Sequence, residues 1–233
     1  MVSKARRGLS TESRSALEAL CEAYWLPLYV YARRQGHGAD EARDLAQGYF
    51  TALLEKDYLG DIRPREGRFR AFLLVSFRHF LSKERERSRA LKRGGGAVPL
   101  SIDAARAEAW HAAEPVESCT PEAVFERRWA LTVLERALDR LRREATDAGR
   151  GGQFELLHGH LTGREPHAPY REVAAELEMS EGAVKVAVHR LRQRYGRLLR
   201  EEIAATVAEP EQVEGELRHL LAVIRPWEPP GAP

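Results

Sequence analysis

Residues 180–200 carry six basic side chains, Lys185, Arg190, Arg192, Arg194, Arg197 and Arg200, against one acid, Glu181, a local balance of +5. A solvated helix face normally mixes its signs, so a one-signed cluster points to an anionic ligand. Spacing tells how the cations are carried. Val184, Val188, Leu191 and Tyr195 recur at i, i+4, i+7 and i+11, the apolar stripe of an amphipathic helix, and Lys185, His189, Arg190, Arg192 and Arg194 fall off it. Just upstream, Val173, Ala174 and Leu177 mark a shorter helix, and Glu178-Met179-Ser180 breaks the pattern. The Ser180 hydroxyl can cap the second helix by accepting a hydrogen bond from an orphaned amide. A helix, a three-residue turn and a second helix with a basic outer face is how a helix-turn-helix offers side chains to the major groove of DNA.

A second cationic stretch differs in kind. Residues 61–93 hold eleven Lys/Arg against four Asp/Glu, or +7, and interleave Phe69, Phe72, Phe77 and Phe80 with Arg68, Arg70, Arg78 and His79. Cations that track phosphates beside π-faces that stack bases suit single-stranded DNA. Phe72, Phe77 and Phe80 fit a helix core as well. The preceding loop, 60–68, places Arg63, Arg65 and Arg68 on a turn punctuated by Gly60, Pro64 and Gly67, which a core does not require.

The elements that must position these residues are helical. Periodicity near 3.6 runs through most of the chain and strand signals are scarce, so the expected fold class is all-α. A first stripe contains Leu17, Leu20, Tyr24 and Leu28, with a kink expected at Pro27. Asp40 caps a helix running to about Lys56, and another runs from Phe69 to about Arg89. Thr120-Pro121-Glu122 supplies a capping hydroxyl, a proline for the first helical position and an acid facing the dipole, opening a helix to about Thr146. A short helix is expected at 154–161 and a last one at 211–224, where Val213, Leu217, Leu220 and Ile224 share a side. The three glycines 94–96 and the nearby prolines read as a tether. The expected organisation is thus two small helical domains, 10–93 and 120–206, joined by a flexible linker, 94–119, and followed by an acidic extension, 207–233.

Whole-chain properties bound the partners. The 233 residues have a net charge of only +2, so the local clusters, not the total, carry the electrostatics. Residues 201–233 hold seven acids against two Arg, or −5, a tail able to screen a basic surface or contact a partner. Cys21 and Cys119 form no metal-ligand spacing, and neither a metal nor a cofactor is expected. The first fifteen residues lack an apolar signal region, and no run approaches the roughly 18 apolar residues of a membrane span, so a cytoplasmic protein is expected. Catalytic patterns are missing: Gly94-Gly95-Gly96 follows Lys92-Arg93 where a phosphate loop needs the reverse order, and His158-x-His160, read as a surface pair, has no further ligands. The chain is not expected to be an enzyme.

The order of these features resembles bacterial extracytoplasmic-function (ECF) sigma factors, the two-domain initiation subunits of RNA polymerase. Three stretches carry the resemblance and together span about two thirds of the chain. Glu41-Ala42-Arg43-Asp44-Leu45-Ala46-Gln47 resembles the acidic start of the helix that binds the polymerase clamp. Phe69-Arg70-Ala71-Phe72-Leu73-Leu74 and the following Arg-rich run resemble the segment that melts and reads the −10 promoter element. Ser180-Glu181-Gly182-Ala183-Val184-Lys185 resembles the start of the helix that reads the −35 element. The departures are Arg43 and Gly48 where the family tends to have carboxylates, Phe72 for a common Trp, His79 for a frequent Asn, and Val186 and Ala187 for Ser and Arg.

The resemblance implies a chain that directs core polymerase, through its clamp and flap, to promoter DNA and assists DNA opening. Gly182, Lys185, Val186, His189, Arg190, Arg192 and Arg194 are then the −35 candidates, with Arg192 and Arg194 on phosphates. Arg63, Arg65, Arg68, Phe69, Arg70, Arg78, Lys83, Arg85 and Arg87 serve the −10 element, with an unpaired base held in the 60–68 loop. Glu41, Asp44, Gln47, Gly48, Thr51 and Glu55 serve polymerase. On a helical wheel Asp44, Gln47, Gly48, Thr51 and Glu55 share an outward face, while Leu45, Tyr49, Phe50, Leu53 and Leu54 turn inward. Thr51 is on that reading a candidate phosphorylation site for a Ser/Thr kinase; an anti-sigma factor is the other expected means of control. The acidic tail packs on the helix-turn-helix as an extra helix or occludes DNA until released. The alternative is a helix-turn-helix regulator that binds promoter DNA without joining polymerase.

Overall fold

Helix α1 (Thr11–Arg34) is the element around which the others assemble. From Ala23 to Ala32 its side chains are buried at every angle around the helix, Leu26 alone being only partly covered. A helix apolar all round must be enclosed. Its enclosure comes from α2 (Ala39–Glu55), α3 (Phe69–Ala90) and, most extensively, α4 (Pro121–Asp147). The chain continues through α5 (Gly151–Leu157), a 3₁₀ turn (His158–His160), α6 (Tyr170–Glu176), α7 (Glu181–Ala204), a second 3₁₀ turn (Pro210–Gln212) and α8 (Val213–Val223). This computed structural model describes residues 11–55, 69–90, 120–161, 168–207 and 209–224, and no strand occurs among them. The fold is all-α.

Local chemistry sets the boundaries. The Thr120 hydroxyl accepts from the Ala123 amide at 3.2 Å and Pro121 follows it, so α4 starts where the sequence signals a cap. Gly36, at φ +90°, ends the turn after α1 in a conformation that only glycine adopts without strain. Pro27 lies inside α1, which continues through it to Arg34.

One apolar cluster contains residues of α1, α2, α3, α4, α7 and α8. The linker 94–119 lies outside the described residues. The helices on either side of it are packed together, which tethered independent domains do not require. At the seam Tyr24 meets Phe69 edge to face at 5.7 Å, and Tyr31 donates to Glu122 at 3.3 Å. The guanidinium of Arg70 lies 5.0 Å from the ring of Trp129, itself wholly buried.

Charged groups fasten α4 to α7. Glu202 accepts from Arg136 and from Arg140, each at 2.8 Å, and Glu144 takes both arms of Arg194 at 2.8 and 2.5 Å. Burial pushes the Glu202 carboxyl up, but Arg136 and Arg140 outweigh it and hold it below its ordinary value of 4.5. Arg194 draws Glu144 down likewise. Since both folded-state values lie below the unfolded ones, their stabilisation is complete above about pH 4.5 and is lost as pH falls through the folded values. Urea unfolding should therefore show stability falling below pH 4.5, with a shallower fall in Glu202→Gln; an unchanged slope in that variant would remove Glu202 from the explanation.

Candidate nucleic-acid interface

The helix-turn-helix is built on a small core of its own: Leu157, Val173, Ala174, Val184 and Val188, flanked by Tyr170, Leu177, Met179 and Leu191. Glu178, at φ +52°, reverses the chain between α6 and α7. Ser180 then caps α7, its hydroxyl accepting from the Ala183 amide at 3.2 Å. Because Val184 and Val188 turn inward, Gly182, Lys185, Val186, His189 and Arg190 all fall on the exposed side. A Cβ at Gly182 would have only the Ser180 hydroxyl near it, at 3.9 Å, so the missing side chain leaves room for something outside the protein. Val186 is 50% exposed and adds an apolar spot to this charged face.

Two of the expected phosphate contacts are engaged internally. Arg192 donates through Nε and Nη2 to the His160 carbonyl at 3.0 and 2.6 Å. Arg194 is bound to Glu144 and also reaches Glu201 at 3.2 Å. In this conformation they brace α7 against its neighbours instead of projecting to a ligand. His160, expected at the surface, is 4% exposed and stacks on Tyr170 at 4.6 Å. Burial, and then the charge of Arg192, lower its pKa and favour the neutral ring. The Lys185 ammonium sits 6.0 Å from the other partner in that stack, Tyr170. Tyr170 and His160 thus support α7, a role the sequence signals only through an aromatic opening the shorter helix.

On α3 the exposed face is Ala71, Val75, Arg78, His79, Ser82, Lys83 and Glu86. Arg85 and Arg87 are also exposed, Arg85 within 3.3 Å of His37 Nε2 and Arg87 paired to Glu84 at 2.8 Å. Arg70 is covered where exposure was expected. Expected on DNA, it is 3% exposed and bound by Glu126 and by Glu216 Oε2, the latter at 2.8 Å. Phe69 is half-buried against Tyr24 and Phe72. Arg63, Arg65 and Arg68 lie outside the described residues.

Between α2 and α3 there is a cleft of about 290 Å³, lined by Tyr49, Ala52, Leu53, Phe72, Ser76, His79, Phe80 and Lys83. The Tyr49 hydroxyl is bound to Ser76 and to the Leu73 carbonyl, and burial pushes its pKa up to about 12. It stays a neutral hydrogen-bonding group.

The proposed polymerase face of α2 is narrower than expected. Glu41, Asp44 and Thr51 are exposed, but Gln47 is 5% exposed, and a Cβ at Gly48 would lie 3.5 Å from the Phe80 ring. α2 is covered by α1 and α3 together, so its buried arc is wider than a single stripe. Glu55 lies in the last turn of α2.

Comparison with known proteins decides the family. The family model for ECF sigma factors matches residues 16–201. The chain belongs to that family. As an ECF sigma factor it directs RNA polymerase to promoters, and its partners are the polymerase core and promoter DNA. The match spans both the α1–α3 group and the helix-turn-helix of this sigma factor. Among curated proteins and among solved structures, none matches the sigma factor. No described helix of the sigma factor is long and apolar enough to cross a membrane, and no cluster of metal-ligating side chains occurs among the described residues.

Proposed function

We infer that this sigma factor reads a promoter with two surfaces of different kind. The outward face of α7 reads an upstream duplex element, and α3 with its adjoining cleft handles the strand exposed as DNA opens. The observation that carries the reading is the division of side chains on α7. Gly182, Lys185, Val186, His189 and Arg190 are exposed on one face, His189 bonded only to its helix neighbour Gln193 at 3.0 Å, while Arg192 and Arg194 are bonded to other elements of the protein. Lys185 and Arg190 bring donors for guanine edges, and Val186 offers apolar surface for a thymine methyl. The α2–α3 cleft supports capture of an unpaired base, for its Tyr49, Phe72 and Phe80 walls suit stacking and the neighbouring His79 and Lys83 suit phosphate. A regulator acting apart from polymerase would need α7 and would leave this cleft without a role.

Glu41, Asp44 and Thr51 form the surface assigned to the polymerase clamp. Gel filtration of the full chain with core polymerase tests the function directly. Co-elution is expected; promoter-DNA binding by a chain that elutes apart from core would favour the regulator reading.

Control by phosphorylation is assigned to Thr51. Its side chain is exposed, and its hydroxyl donates to the Gln47 carbonyl at 3.1 Å. A phosphate there adds about −1.5 to −2 charges beside Asp44, supplying the acidity that Gly48 does not. Thr51→Asp is expected to bind core polymerase more tightly than the unmodified chain. Equal affinity would end this assignment and leave control to a protein antagonist such as an anti-sigma factor.

A further inference from the structure

We propose that α8 is an autoinhibitory clasp: with α4 it presents carboxylates to the Arg70 side of α3 in the positions that DNA phosphates would otherwise take, and it must release before that side of α3 can engage the opened strand. The functional half of this rests on the two-surface reading above; the contact itself does not.

Arg70 supplies the first observation. It is a basic residue on the aromatic–basic helix, yet its guanidinium is enclosed by groups from two distant helices, α4 and α8. Glu126 of α4 and Glu216 of α8 bind it, the latter at 2.8 Å, and the Trp129 ring covers it at 5.0 Å. Two carboxylates answering one guanidinium leave no charge for a phosphate, and at 3% exposure none can reach it. Arg78, two turns along α3, meets a third carboxylate, Glu122 of α4, at 3.9 Å. Glu122 and Glu126 are one helical turn apart, so α4 lays a short acidic row along α3 and α8 extends it.

The second observation is how α8 is held. Leu220 is wholly buried against the shared core, and Arg200 of α7 reaches Glu214 at 2.7 Å. His219 Nε2 lies 2.9 Å from Glu126, so α8 also holds the carboxylate that binds Arg70. Through Glu216 the helix joins α3 across 146 positions of sequence. Gross charge agrees: residues 201–233 carry −5 and residues 61–93 carry +7. A buried ion pair contributes little net stability against a well-packed apolar alternative. Such a contact suits a latch that a competing polyanion can replace. Val75, His79 and Lys83 stay exposed, so closure withholds only part of the α3 surface.

The test compares the full chain with Glu216→Gln, which keeps the shape and removes the charge, and with Leu220→Ser, which loosens α8 from its seat. Circular dichroism checks that the helices persist; should Leu220→Ser unfold, Glu216→Gln decides alone. Binding of a mixed-sequence single-stranded DNA oligonucleotide is followed by fluorescence anisotropy, and run-off transcription with core polymerase is measured in parallel. If the closed form outweighs the open one by about ten to one, the variants bind the oligonucleotide roughly tenfold more tightly. Equal affinity of wild type and Glu216→Gln, or weaker binding by the variant, overturns the clasp. Tighter binding without run-off from any of the proteins keeps the clasp and removes the sigma-factor mechanism. Equal binding with normal run-off does the reverse.

Discussion

Replacing Lys185 and Arg190 together by alanine is expected to cost about 2–6 kcal/mol of promoter binding, roughly 30-fold to 10⁴-fold in affinity. The size follows from their position. Both stand on the exposed side of α7 among Gly182, Val186 and His189, off the stripe that packs into the helix-turn-helix core. Neither is needed to hold that core, so thermal stability should stay within about 0.5 kcal/mol of wild type. Arg192→Ala and Arg194→Ala should behave differently. Those guanidiniums bond the His160 carbonyl and Glu144, so their removal should loosen α7 on its neighbours and lower stability before it alters sequence preference. Anisotropy titrations against one promoter and a scrambled duplex, with melting curves alongside, separate the two cases. Equal losses on both duplexes would make the α7 face a phosphate binder only.

Trp129→Ala carries the largest expected effect on folding. The indole is fully buried, and lies over Arg70 where α3 meets α4. Removing so large a buried side chain costs about 3–5 kcal/mol through lost transfer energy and the cavity left behind. In a chain of this length each kcal/mol lowers Tm by about 2–4 °C, so a fall of roughly 6–20 °C is expected. Trp129→Phe keeps an aromatic face toward Arg70 and should avoid much of that loss. A melting temperature unchanged in Trp129→Ala would mean that the helices before and after the linker do not share a core in solution.

The sequence shows local signals far better than the seam. Caps at Thr120 and Ser180 are legible because a hydroxyl three residues before an amide is a short-range arrangement, and both bonds form. The outward set on α7 is legible because the Val184/Val188 stripe fixes the rotation of the helix. The environment of α1 is harder to read. A stripe through Leu17, Leu20, Tyr24 and Leu28 suggests one covered side, whereas the run Ala-Tyr-Trp-Leu-Pro-Leu-Tyr-Val-Tyr-Ala, 23–32, announces a helix enclosed by several neighbours. That run was the available sign that the two helical groups meet.

The burial of Arg70 and of Gln47 is hidden in the sequence for a related reason. A charged or amide residue on a helix reads as exposed unless its partner is known, and the partners of Arg70, Glu126 and Glu216, are 56 and 146 positions away. Such a buried pair is visible only once α4 and α8 are placed. Gln47 is buried because α2 is covered on two flanks, while an amphipathic pattern describes one.

Run-off transcription from a pool of randomised promoters, using core polymerase and the full chain and sequencing the templates that yield product, tests the two-surface mechanism most directly. Enrichment of two blocks at a fixed separation is expected, with Lys185→Ala/Arg190→Ala losing the upstream block and keeping the downstream one. Product no greater than from core polymerase alone, or loss of both blocks together in that variant, would contradict it.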